Sequence, residues 1–229
     1  LRCLDKANAG NAWYLKLIRK GYVRPVVPPV QKPIQAANLT DAFTATNSGN
    51  SPVVATITVT PIFTNTNNCS GTPITFTITV NPAAKVSTVT NKTICNGSTL
   101  AAINFATTNT GGTISYSWTN DTPGIGLVAT GTGNIPSFSA TNTGTSPVVA
   151  TIQVTPSYTN NGVSCSGTAT TFTITVNPIA QVNAIANQIL CNGTNTTAVV
   201  FSTNTTGGTT TYSWTNSNTA IGLPASGTG

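Results

Sequence analysis

The chain repeats itself at an interval of 96 residues. The interval is 95 for residues that precede the loop before Cys69, because this loop has one residue fewer than the corresponding loop before Cys165. The segments that recur most clearly are 95–97 as 191–193, 116–120 as 212–216, 76–82 as 172–178, and 51–57 as 146–152. Self-similarity at one period indicates that a single structural unit has been copied along the chain. The fold must therefore be one that a module of about 95 residues can form and that can be placed in tandem.

The register of the repeat predicts the domain organisation. Residues 83–178 form one complete unit, which we call the full repeat. Residues 41–82 match only the second half of a unit (the back half-repeat), and residues 179–229 match only the first half (the front half-repeat). Residues 1–40 are a basic, Pro-rich tail or linker outside the repeat. We therefore expect a segment of a longer array that is truncated within a unit at each end.

Apolar and polar residues alternate within each unit. Phe172, Ile174 and Val176 alternate with threonines, which is typical of a strand that buries one face. Turn-forming pairs such as Asn-Gly and Gly-Gly separate the strand candidates, and no segment after residue 30 has the apolar spacing of a helix. Further strand candidates are 85–92, 101–107, 113–119, 135–141 and 148–158. This pattern predicts an all-β fold of tandem immunoglobulin-like sandwiches.

The composition argues against an enzyme. The chain contains no His, and its acidic residues are Asp5, Asp41 and Asp121. These residues cannot supply a Ser-His-Asp or Cys-His arrangement, His-ligated zinc, a carboxylate calcium site or a pair of glycosidase carboxylates. We expect no catalytic residue, no metal site and no cofactor.

The positive charge is concentrated in the tail. Only Lys85 and Lys92 of the nine Lys and Arg residues lie after residue 32, and Asp41 and Asp121 balance them. A nucleic-acid site needs basic residues spread over one face together with stacking aromatics, so we expect no nucleic-acid partner. Aromatic and basic residues of the tail would suit an anionic membrane surface, but the Pro-rich run that follows them favours a linker without membrane contact.

Two cysteines fall within the full repeat, Cys95 near its start and Cys165 before its last strand. A disulfide between them would close a loop of roughly 70 residues and stabilise the unit by about 4 kcal/mol. This pairing predicts an oxidising, extracellular compartment. Free buried thiols in a reducing cytosol are the alternative.

Tyr116, Trp118, Tyr212 and Trp214 are the candidate ligand-binding residues. An exposed indole suits the face of a sugar ring, so the four could form a carbohydrate-stacking platform. A Trp at the same strand position in each unit is also typical of a core residue, and this interpretation is the one we favour. Burial of the Trp118 indole distinguishes the two.

The recurring motifs, taken as a set, resemble a known family. They are Cys-Asn-Gly, Tyr-Ser-Trp-Thr-Asn, Ile-Gly-Leu, Gly-Thr-Gly-Asn-Ile-Pro-Ser-Phe, Pro-Val-Val-Ala-Thr-Ile and Thr-Phe-Thr-Ile-Thr-Val-Asn-Pro. Over residues 41–229 the chain resembles the PKD-like, immunoglobulin-like repeats of Bacteroidetes secreted surface proteins, some of which resemble gliding-motility adhesins. The resemblance implies a large secreted protein with many tandem sandwiches. No functional residue carries over from it.

These observations predict a non-catalytic extracellular structural or adhesive segment, a stalk or adhesin array of a bacterial cell-surface protein. Surface glycans or other proteins are the expected partners. One alternative is a carbohydrate-binding accessory module of a secreted enzyme, with the four aromatic residues as its platform. A second is a filament-forming subunit, because the two half-repeats are complementary parts of one sandwich and their unpaired strand edges would associate head to tail between chains.

Overall fold

A computed structural model describes residues 42–229, so the predictions made for the tail concern residues outside the described part. Within that part the chain is built from strands, turns and extended segments, and its only helical elements are two 3₁₀ turns, Pro123–Ile125 and Thr219–Ile221. The predicted all-β fold class is confirmed. No described helix is long and apolar enough to cross a membrane.

The strands are short, apart from β10. In the back half-repeat they are β1 (Val53–Val59), β2 (Ile62–Thr64), β3 (Asn68–Ser70) and β4 (Ile74–Val80). In the full repeat they are β5 (Lys92–Cys95), β6 (Thr99–Leu100), β7 (Thr113–Asn120), β8 (Thr130–Thr132), β9 (Phe138–Ser139), β10 (Val148–Asn160), β11 (Val163–Ser166) and β12 (Thr170–Asn177). In the front half-repeat they are β13 (Ser213–Thr215) and β14 (Ser226–Thr228).

The largest sheet lies within the full repeat. It has six strands in the order β5-β12-β10-β7-β8, and β11 pairs with the far end of β10. Neighbouring strands in this sheet are antiparallel, with the exception of β5 and β12. These two strands are parallel, with Lys92 opposite Ile174 and Cys95 opposite Asn177. The first and last strands of the full repeat are therefore neighbours.

One hydrophobic core covers a single face of this sheet. Along β12 the alternate residues Phe172, Ile174 and Val176 are buried, as the period of two predicted. The short β6–β9 pair and the bridge between Ile103 and Ile135 contribute the opposing side of the core. Its buried members are Ile103, Phe105, Trp118, Ile125, Leu127, Ile135, Ala140, Ala150, Ile152, Val154, Phe172, Ile174 and Val176.

The predicted strands match the observed strands to different extents. Segments 113–119 and 148–158 correspond closely to β7 and β10, whereas 85–92 is extended without strand pairing until Lys92. Segments 101–107 and 135–141 contribute only the Ile103–Ile135 bridge and β9. Pro136 lies in the latter segment and has no N–H to donate, which limits a continuous hydrogen-bond ladder there.

The described residues form two compact units. One contains residues 42–46 and Val54–Val80, in which β1 pairs with β4 and β2 pairs with β3. The other contains Asn47–Val53 and Asn81–Gly229, which include the full repeat and the front half-repeat. In each half-repeat, apolar residues that correspond to core positions of the full repeat are exposed.

Candidate functional site

Trp118 is a core residue. Its side chain is 3% exposed and belongs to the hydrophobic core, and it lies against Gly131, its cross-strand partner on β8. Within the described part of the chain, its buried indole N–H has no hydrogen-bond partner. A sugar ring has no access to an indole face in this position, so the structure argues against Trp118 as part of a stacking platform.

The other three candidate aromatics occupy matching positions. Tyr116 is half-buried, and its ring lies 5.3 Å from that of Phe105, centroid to centroid; burial raises the pKa of its hydroxyl. Tyr212 lies 5.4 Å from Phe201 in the same way, and Trp214 is half-buried opposite Gly227. Each Tyr–Phe ring pair therefore lies within a single repeat. The structure gathers no four-residue platform from them.

The predicted disulfide between Cys95 and Cys165 is not formed, and both are free thiols. Cys95 lies beside the end of β12, where Asn177 follows Val176 and Val176 faces Val148 at the start of β10. Cys165 faces Tyr158, ten residues further along β10. At about 3.3 Å per residue the two cysteines are roughly 30 Å apart along the sheet, whereas a disulfide requires Cα atoms within about 7 Å.

We expect Cys165→Ser to change the free energy of unfolding of the full repeat by less than about 0.5 kcal/mol, because the thiol has no covalent partner and lies half-buried near the hairpin end. Urea denaturation without reductant measures this difference. A loss near 4 kcal/mol, matched by Cys95→Ser, would show that the bridge forms after all.

The ionisable groups form structural contacts. The backbone N–H of Thr151 donates to a carboxylate oxygen of Asp121 at 2.7 Å, and the Thr122 hydroxyl donates to it at 2.9 Å. These hydrogen bonds, the Thr151 bond foremost, lower the pKa of that carboxyl. The stability that these hydrogen bonds contribute is present above the ordinary pKa of Asp and is lost as the pH falls.

The residues that the structure describes contain no group of three His, Cys, Asp or Glu side chains suited to a metal ion.

The structure reveals a contact that sequence reasoning missed, at the joint between the full repeat and the front half-repeat. The backbone N–H of Thr206 donates to the carbonyl oxygen of Thr145 at 2.7 Å. A Cβ placed on Gly207 would lie 2.5 Å from Cδ of Pro147, so the Pro ring rests directly on the glycine backbone. Gly207 has a φ of +76°, which also favours glycine.

The segment Asn47–Val53 makes the corresponding contact with the full repeat. The N–H of Thr110 donates to the carbonyl oxygen of Asn50 at 2.9 Å, and Pro52 lies against Gly111, whose φ is +77°. Lys85 adds a hydrogen bond from Nζ to Oδ1 of Asn50 at 2.6 Å. The same backbone bond and the same Pro-on-Gly contact therefore occur twice, 95 to 96 residues apart.

An Asn side chain shapes both loops that enter these joints. The Asn142 amide donates to the carbonyl oxygen of Ser146 at 2.9 Å and accepts from the N–H of Gly144 at 3.0 Å. Asn47 makes the equivalent bonds with Ser51 and Gly49, both at 2.9 Å. The sequence signal that could have identified the joint is the recurrence of Ser-Pro and Gly-Gly outside the strands.

A shallow groove lies along the start of the full repeat. Its volume is about 340 Å³, and its lining includes Lys85, Ser87, Thr108 and Thr170. The Lys85 ammonium donates to Asn50, and the rest of the lining consists of small apolar side chains and the hydroxyls of Ser and Thr. It has no nucleophile paired with a base and no other group arranged for catalysis.

No protein-family model matches the chain, and no curated protein matches it significantly.

Proposed function

We propose that this chain is a non-catalytic, mechanical segment of an extracellular array, a stalk or adhesin of a bacterial cell-surface protein. In this proposal residues 83–178 are one immunoglobulin-like sandwich, and 41–82 and 179–229 are halves of its neighbours. The resemblance of the motifs to PKD-like repeats of Bacteroidetes surface proteins supports the extracellular placement. The free thiols Cys95 and Cys165 remove the support that a disulfide would have added.

The parallel pairing of β5 with β12 is the observation that supports a mechanical role. Tension along the chain would enter β5 from its N-terminal side and leave β12 from its C-terminal side. Since the strands are parallel, these forces slide one strand along the other and load their hydrogen bonds together. Strands peeled apart from one end would instead lose their bonds one at a time. We call the parallel β5–β12 pair the clamp. Asn91 extends the clamp, because its Oδ1 accepts a hydrogen bond from the Thr173 N–H at 2.9 Å.

The repeated joint fits the same role. Its backbone hydrogen bonds, Thr206 to Thr145 and Thr110 to Asn50, lie outside the strands and connect successive parts of the chain. The glycines beneath Pro52 and Pro147 allow the loops to approach closely enough for these bonds to form. Such contacts would hold each loop against the repeat that follows it.

Adhesion to a surface glycan or another protein would be a property of exposed residues. The indole that best suited a sugar, that of Trp118, is occupied by core packing. This burial favours the structural role over an accessory carbohydrate-binding module.

We expect Asn91→Ala to speed the forced unfolding of the full repeat about five-fold at constant force. The substitution removes one bond of the clamp, worth about 1 kcal/mol, and leaves the core unchanged. The measurement is single-molecule pulling on the whole chain through handles at its two ends. The relevant event releases about 300 Å of contour length, as expected for a unit of 96 residues at 3.3–3.6 Å each.

Thr159→Ala is the matched control. It removes the bond between the Thr159 and Ser164 hydroxyls, 2.8 Å apart, in the β10–β11 hairpin outside the clamp. This variant should unfold at the wild-type rate under force. Equal rates for the two variants, or an Asn91→Ala rate equal to wild type, would contradict the clamp and with it the mechanical role.

A further inference from the structure

We propose that Asn161 is a site of spontaneous deamidation, a covalent modification that converts its side-chain amide into a carboxylate as the protein ages. Asn161 and Gly162 form the turn between β10 and β11 in the full repeat, and Asn161 is exposed. Apart from its chain neighbours, no heavy atom lies within 4 Å of a Cβ placed on Gly162, so the turn stands in open space. The reaction needs only water and is independent of the proposed mechanical role.

Deamidation of an Asn-Gly pair passes through a cyclic imide. The backbone nitrogen of Gly162 bonds to Cγ of Asn161, and the bond from Cγ to the side-chain nitrogen breaks. That nitrogen leaves as ammonia, with the proton that the Gly162 N–H gives up. Water then opens the ring: attack at Cγ gives aspartate, and attack at the main-chain carbonyl carbon gives isoaspartate. One water is consumed and one ammonia is released.

Both reacting groups are free at this turn. In the part of the chain that the structure describes, neither the Asn161 side chain nor the Gly162 N–H has a hydrogen-bond partner. The two residues have φ values of +49° and +76°, as in the type I′ turn of a two-residue hairpin. The glycine carries no side chain to hinder the approach of its nitrogen to Cγ. The amide and its attacking nitrogen can therefore move together when the turn fluctuates.

A second Asn-Gly pair of the full repeat, Asn96-Gly97, has both groups engaged. Oδ1 of Asn96 accepts a hydrogen bond from the Asn142 N–H at 2.8 Å, and the Gly97 N–H donates to the carbonyl oxygen of Ala140 at 2.8 Å. Asn96 is also half-buried. Its turn must break both hydrogen bonds before the imide can close, so the structure protects Asn96 and leaves Asn161 open.

The modification changes the hairpin. Either product adds a negative charge to a unit whose only acidic residue is Asp121. Isoaspartate also lengthens the main chain by one carbon, which removes the match between the two-residue turn and the twist of its strands. The turn is closed by the pairing of Asn160 with Val163, and the Thr159 and Ser164 hydroxyls meet at 2.8 Å one step further along. Pairing of β11 with β10 should therefore weaken in the isoaspartate form.

The test is incubation of the whole folded chain for weeks at neutral pH and physiological temperature, followed by digestion and mass spectrometry of the peptides. Each conversion raises the mass of a peptide by about 1 Da, and chromatography separates the isoaspartate form from the aspartate form. We expect the Asn161 peptide to convert about ten-fold faster than the Asn96 peptide, because two hydrogen bonds protect Asn96. In concentrated guanidinium chloride the two rates should agree within about two-fold, because each Asn is followed by Gly and the fold no longer distinguishes them.

Asn161→Gly is the matched control, since Gly-Gly also suits a type I′ turn and the variant has no amide to lose. After the same incubation, amide hydrogen exchange along β11 should be faster in the wild type and unchanged in the variant. Equal rates for Asn161 and Asn96 in the folded chain, faster conversion at Asn96, or a folded chain that keeps Asn161 intact would each overturn the proposal. None of these results bears on the pulling experiment, so the two proposals fail separately.

Discussion

Phe172→Ala is expected to lower the free energy of unfolding of the full repeat by about 3–5 kcal/mol. Phe172 lies on β12, is 3% exposed, and packs in the core with Ile152 and Ile174. Removing its ring takes away apolar contacts and leaves a cavity, because the strands on each side of β12 hold the backbone in place. Urea denaturation followed by Trp fluorescence measures the change, with Trp118 as the reporter within the same core.

Phe76→Ala is the matched control, because Phe76 has the same neighbours in sequence. It lies in Thr-Phe-Thr-Ile-Thr-Val on β4, as Phe172 does on β12, but is 42% exposed. We expect it to leave the transition of the full repeat within about 0.5 kcal/mol of wild type. Equal losses from the two substitutions would show that the two positions are equally buried in solution.

The comparison between Phe76 and Phe172 also shows where sequence-based prediction succeeds. The alternation of apolar and polar residues fixes which face of a strand is apolar, and both β4 and β12 form as predicted. Whether that face is covered depends on residues far along the chain. Local pattern therefore predicts the strand, and only the folded arrangement reveals the burial.

Turns held by an Asn side chain are also determined by local sequence. Asn120 holds its turn with bonds to Leu127 and Thr122, and Asn216 holds the equivalent turn with bonds to Leu223 and Asn218. The partners lie within seven residues, so the turn forms whether or not the surrounding core is complete. Such local features could be predicted from the recurring Asn and Gly residues.

The disulfide could not be predicted from position along the chain. Cys165 precedes the last strand, which suggested closeness to Cys95, but β10 is thirteen residues long and its hairpin with β11 carries Cys165 to the opposite end of the sheet. The joint was missed for a related reason. Thr145 and Thr206 are 61 residues apart, and their backbone contact leaves no trace in hydrophobic periodicity.

Gly131→Ala should destabilise the full repeat by about 1–3 kcal/mol. A Cβ at this position would overlap Cζ2 and Cε2 of Trp118, and the indole cannot move aside because it is enclosed by the core. Gly124→Ala provides the control, since a Cβ there meets no atom within 4 Å, and we expect a change below about 0.5 kcal/mol. Equal losses from Gly131→Ala and Gly124→Ala would show that the effect comes from the loss of glycine's backbone freedom and not from the indole contact.

Trp118→Phe should rescue Gly131→Ala in part, because Phe lacks the indole atoms that a Cβ would meet. The substitution sacrifices no hydrogen bond among the described residues, since the indole N–H has no partner. We expect the double variant to be about 1 kcal/mol more stable than the sum of the single changes predicts, measured by urea denaturation with circular dichroism. Strict additivity would show that the glycine is required by the β8 backbone and not by the indole. Because Trp214 meets Gly227 in the same way, a positive result would extend to the front half-repeat and would explain a Trp in each unit by packing alone.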